Sequence, residues 1–294
     1  MQNTMKKGTL SLLTALLFMF VISSCTKDEA TVSQDQELLE ETAFAENVFA
    51  QLDADVEDAI PVDGLSSGRH GFYGFGFGFG NCMTRTVATP EDADYPKVIT
   101  IEYDGECTSN NGVVKSGKII ITLTGHPSEA GSQRIVTFED FMVNGNLIEG
   151  TQTITFDGGG HYMCKLIDGK ITTSDGNVII RESTRTRTQI AGQDTEDRSD
   201  DVFEITGSVT GETTDGLSYK KEIIEPLIVS RDCFWITQGI IETTIGDVVY
   251  TINFGDGTCD NMATKIEDGV EEQITMDMHI RKMWHHKFKH HHKG

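Results

Sequence analysis

Basic residues are scarce in this sequence. Its 294 residues include 24 Lys and Arg against 46 Asp and Glu, which gives a formal net charge of -22 and a sequence pI of about 4.6. A surface this acidic repels phosphate backbones and anionic headgroups, so the composition argues against nucleic acid as a partner. The 37% of hydrophobic residues nevertheless provides enough apolar mass for a packed core.

No apolar run is long enough to span a bilayer comfortably. The longest, Leu10 to Ile22, has thirteen residues interrupted only by Ser11 and Thr14, and it follows Lys6 and Lys7. A basic start followed by a short apolar core is typical of a signal peptide. The run ends in Val21-Ile-Ser-Ser-Cys25, with small residues just before a cysteine.

This ending resembles the lipobox of bacterial lipoproteins. The resemblance implies that residues 1–24 are removed, that Cys25 carries acyl chains such as palmitate, and that residues 25–33 form a tether. Thr26-Lys-Asp-Glu29 resembles the signal that sends Bacteroidetes lipoproteins to the outer face of the outer membrane. We therefore expect a lipid anchor in the outer membrane of a Gram-negative bacterium, at the cell surface. The alternatives are an ordinary secretory signal with a plain Cys25 thiol, and a merely solvated charged tether.

Residues 34–60 have helical periodicity. Apolar residues recur on one side of the helical wheel, and the acids, including Glu41, Glu46 and Asp53, lie elsewhere on it. The pattern predicts one amphipathic helix with a solvated acidic face, on which Asp55 also falls.

The Gly/Phe-rich linker, residues 61–81, alternates glycine with aromatic residues. If it is extended, Tyr73, Phe75, Phe77 and Phe79 share one side. These four rings could form a stacking platform for sugars or an adhesive patch. The alternative is an edge strand that covers the core, which would hide an aggregation-prone stripe.

Proline is also scarce, with five residues against thirty glycines, and from residue 82 to 280 apolar and polar residues alternate. Dipeptides such as Asn144-Gly145, Asp168-Gly169, Asp175-Gly176 and Asp215-Gly216 indicate hairpin turns. The sequence predicts an all-β domain of ten to twelve strands, a long antiparallel meander curled into a half-barrel or a two-layer sandwich. This part of the chain resembles uncharacterised Bacteroidetes lipoproteins with Asp-Gly-x-Cys hairpins, and that resemblance implies no activity.

The cysteines form a repeat. Cys82 and Cys107 enclose a strand with Asp104-Gly105, and Cys233 and Cys259 enclose a strand with Asp256-Gly257 at nearly the same spacing. The repeat predicts the disulfides Cys82–Cys107 and Cys233–Cys259, which an exported protein can form. Cys164 is left over and is interpreted as a buried free thiol, although a nucleophile or an intermolecular bridge stays an alternative.

Two groups of basic residues are candidate binding sites. Arg181, Arg185 and Arg187 fall on one face of a strand, where they could grip a carboxylate or sulfate ligand or pair with acids of the next strand such as Glu204. The tail, residues 281–294, is basic and holds His285, His286, His290, His291 and His292. These imidazoles could bind Zn, Cu or Ni weakly, although a plain basic tail lying on an acidic surface is the alternative.

Motifs for phosphate binding, for a nucleophile elbow and for a metalloprotease helix are absent from the sequence. The sequence requires no cofactor and leaves open whether the protein is an enzyme. We expect a lipid-anchored surface protein with a binding or structural role, whose partners are the membrane and a surface glycan or protein. The alternatives are a metal-binding protein that uses the tail and an unrecognised extracellular hydrolase.

Overall fold

The computed structural model describes the part of the chain that carries the predicted helix and sheet. The described residues are 41, 42, 44–46, 48, 49, 52, 53, 55, 56, 59, 60, 82–109, 112–195, 197–233 and 235–276. The chain divides into two units, Met1–Glu37 and Leu38–Gly294, and every described residue belongs to the second. Cys25, the aromatic residues of the linker and the histidines of the tail lie outside the described residues.

Thirteen antiparallel strands form one sheet in the order of the sequence. They are β1 (Met83–Ala88), β2 (Lys97–Thr108), β3 (Val114–Leu123), β4 (Gln133–Val143), β5 (Asn146–Phe156), β6 (His161–Thr172), β7 (Val178–Ala191), β8 (Val202–Glu212), β9 (Ser218–Ser230), β10 (Gln238–Ile245), β11 (Val248–Asp256), β12 (Met262–Glu267) and β13 (Val270–Thr275). The sheet is open, because β1 and β13 each pair with a single neighbour. The predicted all-β antiparallel meander is confirmed, with thirteen strands among the described residues where ten to twelve were expected.

Glycines inside the strands produce bulges that the sequence pattern did not reveal. Gly117 (φ +80°) and Gly207 (φ +130°) each lie at a register shift between neighbouring strands. A Cβ on Gly207 would lie 2.1 Å from the carbonyl oxygen of Thr184. Only glycine therefore lets β7 and β8 approach this closely at that position. Such bulges bend a strand and increase its twist.

The expectation of a turn at Asp168-Gly169 was wrong. Both residues lie inside β6, where the pairing with β7 shifts between Leu166 and Gly169. The other three Gly dipeptides lie in the connections after β4, β6 and β8, as expected. A positive φ at Asp168 (54°) serves a bulge as well as a turn, and local sequence does not distinguish the two.

One helix packs across the strands. The described residues between 41 and 59 are helical and are called α1 here. Its apolar side packs on one face of the sheet, which we call the inner face. The core so formed contains Ala45, Val48, Phe49, Leu52 and Val56 from α1 together with Ile99, Ile101, Ile119, Ile121, Val136, Phe141, Ile148, Ile171 and Ile179 from β2 to β7. The helical spacing of the sequence therefore predicted the buried side of α1 correctly.

Both predicted disulfides are present. Cys82–Cys107 joins the residue before β1 to β2, and Cys233–Cys259 joins the residues flanking the β10–β11 hairpin. Each bond therefore closes the open end of a two-stranded hairpin. Among the described cysteines only Cys164 is free.

Candidate functional site: the cation row beneath the helix

The inner face carries basic side chains among its apolar ones. Lys115 on β3, Arg134 on β4, Arg181 and Arg185 on β7, and Lys221 on β9 share the inward-facing positions with buried aliphatic residues. We call these five residues the cation row. The side chain of Lys115 is 1% exposed and that of Arg181 is 4% exposed, so these charges are withdrawn from water.

Acids of α1 meet this row. Glu46 forms ion pairs with Arg181, at 2.9 Å between its Oε2 and Nη2, and with Arg185. Asp55 forms an ion pair with Lys115, whose Nζ also lies 5.6 Å from the ring centroid of Tyr103. The predicted solvated acidic face is thus wrong for Glu46 and Asp55, because the sheet provides basic partners that one-dimensional periodicity does not show.

Two further contacts extend the helix–sheet interface. The side chain of Gln152 on β5 donates a hydrogen bond of 2.7 Å to Asp53 Oδ1, and the backbone N–H of Thr214, after β8, donates one of 3.0 Å to Glu41 Oε2. Asp55, Asp53, Glu46 and Glu41 therefore contact β3, β5, β7 and the β8–β9 turn in that order. About 21 Å of helix covers these positions, and five strand spacings cover about 24 Å, so α1 runs nearly perpendicular to the strands.

The electrostatics of Glu46 reflect this environment. Burial raises the pKa of its carboxyl, but the charges of Arg185, Arg181 and Lys221 outweigh that effect and hold the pKa well below its ordinary value. Burial also lowers the pKa of Lys221. The carboxylate of Glu46 is therefore charged at any physiological pH, and the row attracts negative charge strongly.

Cys164 lies on β6 within the same region, directly opposite Arg185 of β7. It is half-buried rather than fully buried. Burial and the nearby Asp53 raise the pKa of its thiol to about 12, although Arg134 and Arg185 act in the opposite direction. The neutral thiol is a poor nucleophile.

The three arginines of β7 do not act as one group. Arg181 and Arg185 pair with Glu46, whereas Arg187 donates a hydrogen bond of 3.1 Å to Tyr162 Oη. Its Cζ lies 3.8 Å from the ring centroid of Phe203, and among the described residues nothing accepts a hydrogen bond from its buried Nε. The acidic partner of Arg181 and Arg185 therefore comes from α1 and not from Glu204, which pairs along the opposite face with Thr188 and Ile228.

Sequence reasoning missed Lys115, Arg134 and Lys221. Each occupies an inward-facing position of its strand, in phase with Ile119, Val136 and Tyr219 respectively. A charged residue at an apolar position of an alternating strand was the available signal, and it would have drawn attention to this face.

The described residues include no group of three or more His, Cys, Asp or Glu placed to hold a metal ion. The tail histidines lie outside these residues, so the expected weak metal site stays a prediction. A pocket of about 250 Å³ at the β12–β13 hairpin is lined by Lys265, Glu267, Asp268, Val270 and Glu272, far along the sheet from the cation row. Across the described part of the chain, no helix is both long and apolar enough to cross a membrane.

Comparisons with protein families, with curated proteins and with solved structures gave no match to this chain.

Proposed function

We propose that this chain is a lipid-anchored lipoprotein of the outer membrane, exposed at the cell surface, with a sheet domain that binds an anionic partner. The lipobox-like sequence before Cys25 supports the anchor. The disulfides Cys82–Cys107 and Cys233–Cys259 support an oxidising compartment outside the cytoplasm.

The binding role is supported by the way charge is distributed within the molecule. The whole chain has a formal charge of -22, yet the inner face of the sheet gathers the cation row. Burying a cation costs free energy unless negative charge lies beside it. A sheet face that holds five basic residues within an acidic molecule is suited to attract an anion to that face.

Arg187 is the member of the arginine strand that is best placed for an external ligand. It does not share Glu46 with Arg181 and Arg185, and its guanidinium stacks on Phe203 beside Tyr162. A guanidinium held against aromatic rings can still donate paired hydrogen bonds to a carboxylate or a sulfate. An acidic surface glycan is therefore the ligand class we propose at this position.

The anchor is tested by fractionation of the native host. Cys25→Ser should release the protein from membranes into the soluble fraction, because the acyl attachment point is lost. Cys164→Ser removes a different thiol and should leave the protein membrane-bound. If Cys25→Ser protein stayed in the membrane fraction, the proposed anchor would be wrong.

The glycan site is tested with Cys25→Ser protein on immobilised uronate-containing and sulfated glycans, compared with neutral glycans. We expect retention on the acidic glycans only, and loss of retention in Arg187→Gln. Lys118→Gln is the matched control, since Lys118 lies on the outer face of β3 beside Glu102. Equal retention of both variants would remove Arg187 from the site.

A further inference from the structure

The helix is an addition to a sheet that is complete without it. Every strand pairs with its neighbour in the chain, and both disulfides join residues of the sheet domain. Among the described residues, the polar contacts that hold α1 include those of its carboxylates with Lys115, Gln152, Arg181 and Arg185, and with the backbone of Thr214. Removing α1 would leave the strand ladder intact but would expose the cation row.

The surface beneath α1 carries more buried charge than the docking of a helix requires. Buried ion pairs contribute no more to stability than apolar side chains of similar volume, and often less. An interface made only to hold α1 would be at least as stable with aliphatic residues in place of both the cation row and its acidic partners Glu46 and Asp55. The row therefore indicates selection for recognising negative charge.

The surface combines that charge with an apolar floor. Glu46 and Asp55 are nine residues apart, about 14 Å along the helix axis. Phe49 and Leu52 lie between them, and Val56 follows Asp55 directly. A small hydrophilic anion could replace the carboxylates but not these apolar contacts. A neutral lipid could replace the apolar contacts but would leave the cations unpaired.

We propose that the inner face beneath α1 is a binding site for an anionic amphiphile of the fatty-acid class, and that α1 occupies this site as an internal competitor. The carboxylate of the ligand takes the place of Glu46 between Arg181 and Arg185, and its acyl chain takes the place of Phe49, Leu52 and Val56. The inference deepens the proposed binding role and rests on it in taking the inner face as the binding face. It does not depend on acylation of Cys25.

Dodecanoate is the probe, titrated below its critical micelle concentration into Cys25→Ser protein and followed by calorimetry. Butyrate supplies the charge without the chain, and the dodecanoyl monoester of glycerol supplies the chain without the charge. We expect saturable binding of dodecanoate alone. No saturable binding in the parent protein and in Glu46→Gln, or equal binding of the neutral ester, would overturn the proposal.

The two sides of the Glu46 ion pair should respond in opposite directions. Glu46→Gln weakens the internal competitor and should tighten dodecanoate binding about tenfold, because more molecules have the site open. Arg185→Gln, made in the Glu46→Gln background where the ion pair with α1 is already absent, weakens the site itself and should lower the affinity about tenfold or more relative to Glu46→Gln alone. Glu182→Gln, on the outer face of β7, is the control and should change nothing. If the ion pair had only a structural role, both substitutions would change the dodecanoate affinity in the same direction, or neither would change it.

A substitute variant, an Arg187 variant and a peptide of the helix distinguish the remaining outcomes. If Arg185→Gln fails to fold by circular dichroism, Lys221→Gln takes its place, because Lys221 also faces Glu46. Arg187→Gln should abolish glycan retention and leave dodecanoate affinity unchanged, so failure of one site is distinguishable from failure of the other. A synthetic peptide of residues 38–60 that bound while dodecanoate did not would identify a receptor for a helix and overturn the amphiphile.

Discussion

The side chain of Glu46 neutralises arginines of β7, holds α1 on the sheet and occupies the proposed ligand site. It lies between Arg181 and Arg185, with Lys221 close enough to affect its pKa. Its side chain is 30% exposed, so water reaches it from one side. The same residue that fixes α1 to the sheet is therefore the one that acid or a competing anion reaches most directly.

Acid should weaken this contact. The folded state lowers the pKa of Glu46 below its ordinary 4.5, so its contribution to stability is present above that pH and is lost as the pH falls further. At pH 7 we expect Glu46→Gln to be on the order of 2 kcal/mol less stable than the parent protein. Urea unfolding at pH 7, 5 and 3.5 should show this difference shrinking toward the lowest pH. A difference that stayed constant across the series would contradict the assignment.

Cys164 should report whether α1 is docked. Because burial raises the pKa of its thiol to about 12, its reaction with a thiol reagent at pH 8 should be roughly a hundredfold slower than that of an ordinary cysteine. In Cys25→Ser protein with both disulfides intact, no other thiol competes. Unfolding in urea should restore the rate, and Glu46→Gln should increase it in the native state. Reaction at the unfolded rate in the native parent protein would show that the thiol is not protected.

The role of a residue could be predicted from the sequence where a local or repeated pattern indicates its partner. The disulfides follow from nearly equal Cys-to-Cys separations of 25 and 26 residues, and the buried side of α1 follows from helical spacing. The ion pair of Glu46 with Arg185 joins residues 139 positions apart, and no local pattern encodes it. The arginines were recognised because three lie on one face of one strand, whereas Lys115 and Arg134 are each the single basic residue on the inward face of their strand and were missed.

At the scale of elements, the bulges decide how the strands fit together. Strand alternation predicted most strands, but it does not show where a glycine interrupts a ladder instead of ending it. Asp168-Gly169 in β6 and Asp104-Gly105 in β2 have the same local sequence character as the true turn at Asp215-Gly216. The difference arises from strand pairing. A neighbouring strand pairs on both sides of Asp104-Gly105 and of Asp168-Gly169, whereas at Asp215-Gly216 the chain reverses and β9 pairs with β8.

Gly207 offers a direct test of a bulge. Gly207→Ala would place a Cβ 2.1 Å from the carbonyl oxygen of Thr184 at φ +130°, so we expect a loss of about 2–4 kcal/mol in the free energy of unfolding. Gly159→Ala is the matched control, since its nearest heavy atom would lie 3.7 Å away, on the side chain of Asp157. Thermal unfolding of both variants measures the difference. Similar melting temperatures would show that β8 does not need glycine at this register shift.

At the scale of the whole molecule, an open sheet has two edges. Within the described part of the chain, β1 and β13 each have a strand partner on one side only, and nearly all residues of both strands are exposed. Glu271 and Glu272 place two negative charges on β13, and charge on an edge strand opposes pairing with another molecule. The acidity of the chain therefore has a structural role at this edge in addition to keeping the protein in solution.

Neutralising that edge should promote self-association. We expect the double variant Glu271→Thr, Glu272→Thr to form dimers and larger species at concentrations where the parent protein stays monodisperse, because threonine favours strand pairing and carries no charge. Light scattering after size exclusion measures this. Glu182→Thr with Glu212→Thr makes the same change in net charge on the interior strands β7 and β8. Equal association of both double variants would assign the effect to net charge and not to the edge.

The sequential strand order also determines when each contact can form during synthesis. Each strand pairs with the one before it, so the ladder can grow hairpin by hairpin as the nascent chain lengthens. α1 emerges before the sheet, but its partners lie 60 residues later at Lys115, 139 later at Arg185 and 173 later at Thr214. The helix therefore completes its contacts only after the last of these partners is made, and until then its carboxylates and the arginines of the growing ladder are available to other molecules.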